Sequence, residues 1–181
     1  MDDSQAVTDG TSSTRRRALP LVLSAVALAV VAADQTAKYL AVRDLTPGVP
    51  VPVIDGLLQL RLIRNSGAAF SMATGMTWIF TVVATVVSAV IIRIARRLGS
   101  TTWAVALGLL LGGAVGNLLD RLFREPGFAR GHVVDFIEYL KFPFMDFPVF
   151  NVADSCIVVS AVLIALLGLV GLGVDGTRVE S

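Results

Sequence analysis

Four stretches of this chain are apolar along nearly their whole length, and their polar interruptions gather at the ends. The first covers 18–33 and runs on as ADQTAKYLAV. A membrane crossing takes roughly 20 mostly apolar residues, so this helix is expected to continue through Asp34 and Lys38 to about Val42. Those two residues lie four apart, share a helix face and can neutralise each other. The second stretch, 78–92, is closed by Arg93, Arg96 and Arg97. The third, 101–119, ends in GNLLDR, and the fourth covers about 150–174. The pattern predicts helices over about 18–42, 77–95, 101–120 and 150–174. The expected fold class is an all-α membrane protein, four transmembrane helices with a small extracytoplasmic platform of β-sheet and loops.

Other periods mark the segments between. In VPVPVIDGLLQLRLIRN, Asp55-Gly56 separates two extended stretches, a strong hairpin signal. Leu58, Leu60 and Leu62 alternate with Gln59, Arg61 and Ile63, the period of a strand with one apolar face. Pro50 and Pro52 confine the first strand to an edge. DFIEYLKFPF fits a short helix or a strand. In MATGMTWIF, Trp78 suits an interfacial anchor. Outer loops are thus expected over 43–76 and 121–149. Residues 1–17 read as a disordered tail, because the first 14 offer little that could pack. Residues 175–181 form a second tail.

Charge sets the orientation. Arg15, Arg16 and Arg17 precede the first helix, and the Arg93/Arg96/Arg97 cluster joins the second to the third. The positive-inside rule puts both groups, and both termini, in the cytoplasm. The start TRRRALPLVLSAVALAVVAA also fits a cleaved signal peptide. Asp34 and Lys38, just past the supposed cut, favour a helix that carries on.

Composition narrows the chemistry. The 181 residues are 55% hydrophobic, with mean hydropathy +0.76. The net charge of +1 gives no reason to expect nucleic acid. Cys156 is the one cysteine and His132 the one histidine. An intramolecular disulfide and a His/Cys metal cluster are therefore excluded, and a carboxylate-only site is the remaining metal option. A serine triad lacks partners around His132. Cys156 sits in an apolar helix, where a lone cysteine is usually core. Lys38, held protonated by Asp34, would make a poor base for a serine.

The carboxylates remain. An ionised aspartate in a membrane costs roughly 2.5 kcal/mol or more. With the topology above, Asp34, Lys38, Asn65, Asn117, Asp120, Arg121, Asp135, Asn151 and Asp154 all fall toward the outer side, near one depth. Two aspartates sharing an apolar site cannot both ionise easily, so one acid and one carboxylate coexist. That pair can activate water and protonate a carbonyl, which is amide hydrolysis without a metal. A structural reading stands beside it. Asp120 adjoins Arg121, Asp34 pairs with Lys38, and a carboxylate at a helix start suits the helix dipole, which alone would explain Asp154. Spacing leaves the two readings level. A proton relay in a small transporter would need carboxylates across the whole bilayer, and a charge-paired membrane scaffold would need none to react.

The blocks DQTAK, RNSGAAF, GGAVGNLLDR, GHVVDFI and FNVADS occur in this order over about 18–172. Together they closely resemble the five sequence blocks of the bacterial lipoprotein signal peptidases, the signal peptidase II family. The resemblance implies an aspartic endopeptidase of the bacterial inner membrane. It would remove the signal peptide from diacylglyceryl-modified prolipoproteins, cutting just before the lipidated cysteine. It implies Asp135 and Asp154 as the catalytic pair, with Asn117, Asp120, Arg121 and Asn151 as polar support. Asn65 would hold the substrate backbone, and Asp34 and Lys38 would be structural. The linker REPGFARG is a few residues longer than the pattern, implying a longer substrate-facing loop. No cofactor and no metal are implied. The expected partners are prolipoprotein substrates and membrane phospholipid, and the expected state is a monomer.

Overall fold

A computed structural model describes residues 3–67, 77–141 and 147–178, with side chains from Ala18 onward. Residues 68–70 of RNSGAAF, 72–76 ahead of Trp78, and 142–144 of DFIEYLKFPF lie outside the described residues. So do 1–2 and 179–181 at the two ends.

Helix α1 spans Asp3–Asp44, α2 Thr77–Ala95, α3 Thr101–Phe123 and α4 Val152–Leu169. All four are long and apolar enough to cross a membrane, α1 through its Ala18–Asp44 portion. Two boundaries differ from expectation. The backbone of α1 is already helical at Asp3, inside the stretch read as a disordered tail. No proline, the residue that breaks a helix outright, precedes Pro20. At the other end α4 stops at Leu169 rather than near residue 174. Gly171 takes a positive φ of 67°, and the chain turns back so that Leu172 bridges Arg178. Trp103 Nε1 of α3 donates to the Leu172 carbonyl at 2.9 Å and fixes that turn.

The third helix is the central one. Some 56% of its apolar window is buried, against 17% for α2 and for α4. Its motif Gly108-x-x-x-Gly112 explains the contact with α1. A Cβ on Gly112 would lie 2.6 Å from Val30 Cβ and 2.8 Å from the Ala27 carbonyl oxygen. A Cβ on Gly108 would lie 2.8 Å from Val26 Cβ and 2.9 Å from the Leu23 carbonyl oxygen. Small residues at this spacing let two membrane helices approach backbone to backbone. Leu19, Leu23 and Ala27 of α1 then pack on Ala104, Leu107 and Leu111 of α3, with Ile91 of α2. The outward faces of α2 and α4 stay apolar and exposed, as at Val83, Val86, Val158 and Val162. That distribution suits lipid as the surrounding solvent.

At one end of the bundle lies an antiparallel sheet in the order β1-β2-β3, formed by Val51–Ile54, Leu58–Asn65 and Val133–Tyr139. The Asp55-Gly56 turn joins β1 to β2, with Gly56 at φ 65° and Leu57 N–H donating to the Ile54 carbonyl. DFIEYL resolves as strand. Buried Val134 and Phe136 of β3 pack with Leu62 of β2 against Ala41 of α1, which seats the sheet on the helices. The apolar alternation in β2 breaks midway. The register shifts between Leu60 and Ile63, so Ile63 pairs with Asp135 and Asn65 with Val133. Because paired residues share a face and a bulge inverts the alternation, Asn65 comes onto the face of Asp135.

Candidate active site

Asp34, Lys38, Asn65, Asn117, Asp120, Arg121, Asp135, Asn151 and Asp154 all lie at the sheet end of the bundle. The centre is Asn151, the fully buried N-cap of α4. Its Nδ2 donates to Asp135 Oδ1 at 2.7 Å and to Asn117 Oδ1 at 3.1 Å. Its backbone N–H donates to Asp154 Oδ2 at 3.2 Å, and its Oδ1 accepts from Asp154 N–H at 2.9 Å. Asp154 is therefore the reciprocal member of a capping box. The structural reading of its place at a helix start holds, and the same geometry brings it beside Asp135. Asn65 Nδ2 donates to Asp135 Oδ2 at 2.8 Å, and Asn117 Nδ2 donates to Asp154 Oδ1 at 2.7 Å. Three asparagines from a strand, a helix and a helix cap thus hold two carboxyl groups.

Asp135, on β3 between buried Val134 and Phe136, is 2% exposed. Burial pushes its carboxyl up to about 6. The Asn65 hydrogen bond opposes this, the neighbouring charge of Asp154 adds to it, and Asn151 and the more distant Lys38 pull it back down.

Behind the pair lies a buried ionic network. Lys38 Nζ meets Asp34 Oδ2 at 2.8 Å, Asp120 Oδ2 at 3.0 Å and Asn117 Oδ1 at 3.0 Å. An ammonium has three donors, and here each has an acceptor. Asp34 Oδ1 also accepts from Ala153 N–H at 3.0 Å, so α1 caps α4. Glycine at 116 leaves room for that carboxylate, since a Cβ there would come within 2.7 Å of Asp34 Oδ2 and push it aside.

One expected pairing is corrected. Asp120 does not use its neighbour Arg121. It pairs with Lys38 and with Arg124, at 2.6 Å one turn on, and accepts from Val134 N–H at 3.1 Å. Adjacent helix residues point about 100° apart, whereas i and i+4 share a face. Arg121 instead lies over the Phe80 ring, 5.4 Å from its centroid, and its Nη1 donates to the Asn117 carbonyl at 3.4 Å. Its buried Nε has no partner among the described residues. Sequence reasoning also missed Arg124 and Gln35. The i+4 spacing from Asp120 would have found the first. Gln35 Nε2 donates to Asp34, to the Gly116 carbonyl and to Asp120, and it stands inside the DQTAK block.

A cavity of about 480 Å³ opens beside the two acids. Asn65, Asp135, Asp154 and Ser155 line its polar side, and Phe150, Val158 and Val159 its apolar side. Val158 and Val159 are 61% and 51% exposed on the outward flank of α4, so the cavity is open toward lipid. Among the described residues, no three His, Cys, Asp or Glu side chains are grouped to hold a metal ion.

Fold and site define a multi-pass membrane enzyme with two carboxyl groups poised beside a lipid-facing cavity. The family described as Signal peptidase (SPase) II matches residues 26–170. The lipoprotein signal peptidase of Rhodococcus jostii (strain RHA1) is 54% identical over 158 residues, covering 87% of this chain and 77% of that protein. That of Mycobacterium avium (strain 104) is 52% identical over 159 residues, covering 88% and 84%. A bacterial membrane enzyme solved at 1.9 Å resolution superposes with a TM-score of 0.71 at 32% identity, over 80% of this chain and 90% of that one. The chain belongs to the signal peptidase II family, and it is a protease.

Proposed function

We propose that this chain removes the signal peptide from diacylglyceryl-modified prolipoproteins as an aspartic endopeptidase, with Asp135 and Asp154 as the catalytic pair. The observation that carries this reading is the shared bridge. One residue, Asn151, hydrogen-bonds both acids, and both open on the same lipid-facing cavity. The names of the relatives supply the substrate class, prolipoproteins.

The resting pair holds one proton, carried by Asp135. Asp154 takes a proton from water as its oxygen attacks the carbonyl carbon before the lipidated cysteine. Asp135 gives its proton to the carbonyl oxygen, and a neutral tetrahedral diol forms. The C–N bond then breaks. Asp154 returns its proton to the leaving amine of the cysteine, and Asp135 recovers a proton from the diol as the carboxyl group forms. Asn65 and Asn117 keep the two carboxyls oriented. Arg121, with no carboxylate within ion-pair distance and an unpartnered Nε among the described residues, is placed to meet a substrate carbonyl. Asp34, Lys38 and Asp120 hold the elements that carry the pair, α4 through the Ala153 N–H and β3 through the Val134 N–H.

The enzyme sits in the bacterial cytoplasmic membrane with both termini in the cytoplasm and the acids toward the outer face. Arg15–17 precede the first span and Arg93, Arg96 and Arg97 close the second, at the end opposite the sheet, which supports that orientation. It works as a monomer in contact with phospholipid, since one chain supplies both acids and their partners.

Asp135→Asn and Asp154→Asn test the pair. General acid–base groups contribute about 10²–10⁴-fold to rate. Each variant is expected to remain folded and to lose at least that factor on a gel-shift of diacylated precursor. Full-rate cleavage by either would end the assignment.

A further inference from the structure

The acids' cavity does not end at the acids. A second cavity of about 250 Å³ shares Asn65, Asp135, Pro148 and Val149 with it and adds Ile63 and Arg64. A third, about 500 Å³, shares Ile63, Pro148 and Val149 with the second and extends to Arg61, Glu138 and Tyr139. The three form one groove. It starts on the exposed apolar flank of α4, passes the two carboxyl groups and ends on the sheet at charged residues. The charged end has a definite polarity. Glu138 is largely buried, and its carboxylate already accepts from Arg61 Nη2 and Gln59 Nε2. Arg61 Nε, by contrast, is a buried donor with no partner among the described residues. Buried donors in native proteins are nearly always paired, so the guanidinium keeps donor capacity beyond its bond to Glu138, and its side chain, 37% exposed where it lines the groove, can offer that capacity to an acceptor. Arg64, exposed along the middle of the groove, adds a second positive charge.

We infer that the Arg61 end of this groove is a subsite for the first residues after the lipidated cysteine, and that it favours acceptor side chains, carboxylates above all. The inference rests on the peptidase reading given above. A prolipoprotein brings three parts to the scissile bond. The signal peptide is an apolar helix and the acyl chains are hydrocarbon, so both belong on the lipid-facing flank. The segment beyond the cysteine is the one part bound for water, and the groove has one charged exit. A peptide leaving the acids toward the sheet passes Arg64 and then Arg61. Glu138 acts as a positioning residue that holds the Arg61 guanidinium against the strand, each of its two oxygens already accepting one donor.

The test uses purified full-length enzyme in neutral detergent with diacylated peptides. These differ only in carrying Asp, Ala or Lys at the second and third positions after the cut. The wild type is expected to prefer the Asp peptide over the Lys peptide by about tenfold in kcat/KM, roughly 1.4 kcal/mol. The ratio should collapse toward unity in Arg61→Gln and persist in Arg61→Lys. Equal rates on all three peptides in the wild type would overturn the subsite, and that arm needs no variant to fold. So would an Arg61→Gln variant that slows every peptide by the same factor, which marks a structural role. A preference that appears only when anionic phospholipid is added would instead assign the arginine to a lipid headgroup and overturn the peptide subsite. Failure to cut any peptide would speak against the peptidase reading itself, a different outcome from cutting without preference.

Discussion

Asp135 is a carboxyl group buried from water and held between two asparagine amides. Its carboxyl is raised from an ordinary 3.8 to about 6, so the folded protein retains that proton between those values while an unfolded chain does not. In the proposed mechanism, the Asp135 proton destined for the carbonyl is lost as pH rises through about 6. The kcat/KM profile is expected to show its alkaline limb there, and the kcat limb to lie higher, because bound substrate buries the pair further. Asn65 donates a hydrogen bond that favours the charged form, so Asn65→Ala should move the kcat/KM limb to higher pH. Rate measurements from pH 4 to 9 check both, and a limb that stays put in Asn65→Ala would remove this asparagine from the account. At this scale the sequence was informative about which residues gather and not about who pairs with whom. Adjacent Asp120 and Arg121 look like a pair on paper. The helix turns them apart, and Lys38 and Arg124 take the aspartate instead.

A close joint of the bundle lies between α1 and α3, at Gly108 and Gly112. Gly112→Leu would drive a side chain into Val30 and the Ala27 backbone. Overpacking of this kind typically costs about 1–3 kcal/mol, occasionally more. Because α1 also carries Lys38 and α3 carries Asn117, the displacement should reach the site. The expected result is a lower thermal midpoint in detergent together with reduced precursor cleavage. An unchanged midpoint would show that the close approach is dispensable. Helices and hairpin were legible because long apolar runs and an Asp-Gly turn each have few alternatives. The β-bulge was not, since an unbroken Leu58/Leu60/Leu62 alternation gives no sign of a shift. That shift puts Asn65 beside Asp135, so block order pointed to Asn65 while strand period alone would have turned it away. DFIEYL satisfied helix and strand periods alike, and pairing with β2 decided it. The early start of α1 was hidden by polar composition, which weakens packing without forbidding a helix.

Across the whole molecule, four antiparallel spans carry every polar residue of interest to one end. The opposite end holds the arginines of the α2–α3 connection and the C-terminal turn pinned by Trp103. Termini tagged for protease protection in sealed inside-out and right-side-out vesicles should both be reachable from the cytoplasmic face only. A C-terminal tag exposed outside would reverse the proposed orientation and put the acids at the wrong leaflet for a secreted precursor. The acids' clustering at one depth was readable from topology and charge alone. The groove beyond them was not, because it depends on Pro148 and Val149, from a loop whose sequence shows no periodicity, lying beside strand residues remote in the chain.

The proposal that Asp135 and Asp154 hold one proton between them is tested directly by carboxyl-carbon NMR of the labelled enzyme. The account predicts that Asp135 titrates near pH 6 in the wild type and at a lower pH in Asp154→Asn, where the neighbouring charge is gone. A midpoint at the ordinary value near 4 in the wild type, or one that Asp154→Asn leaves unmoved, would contradict it.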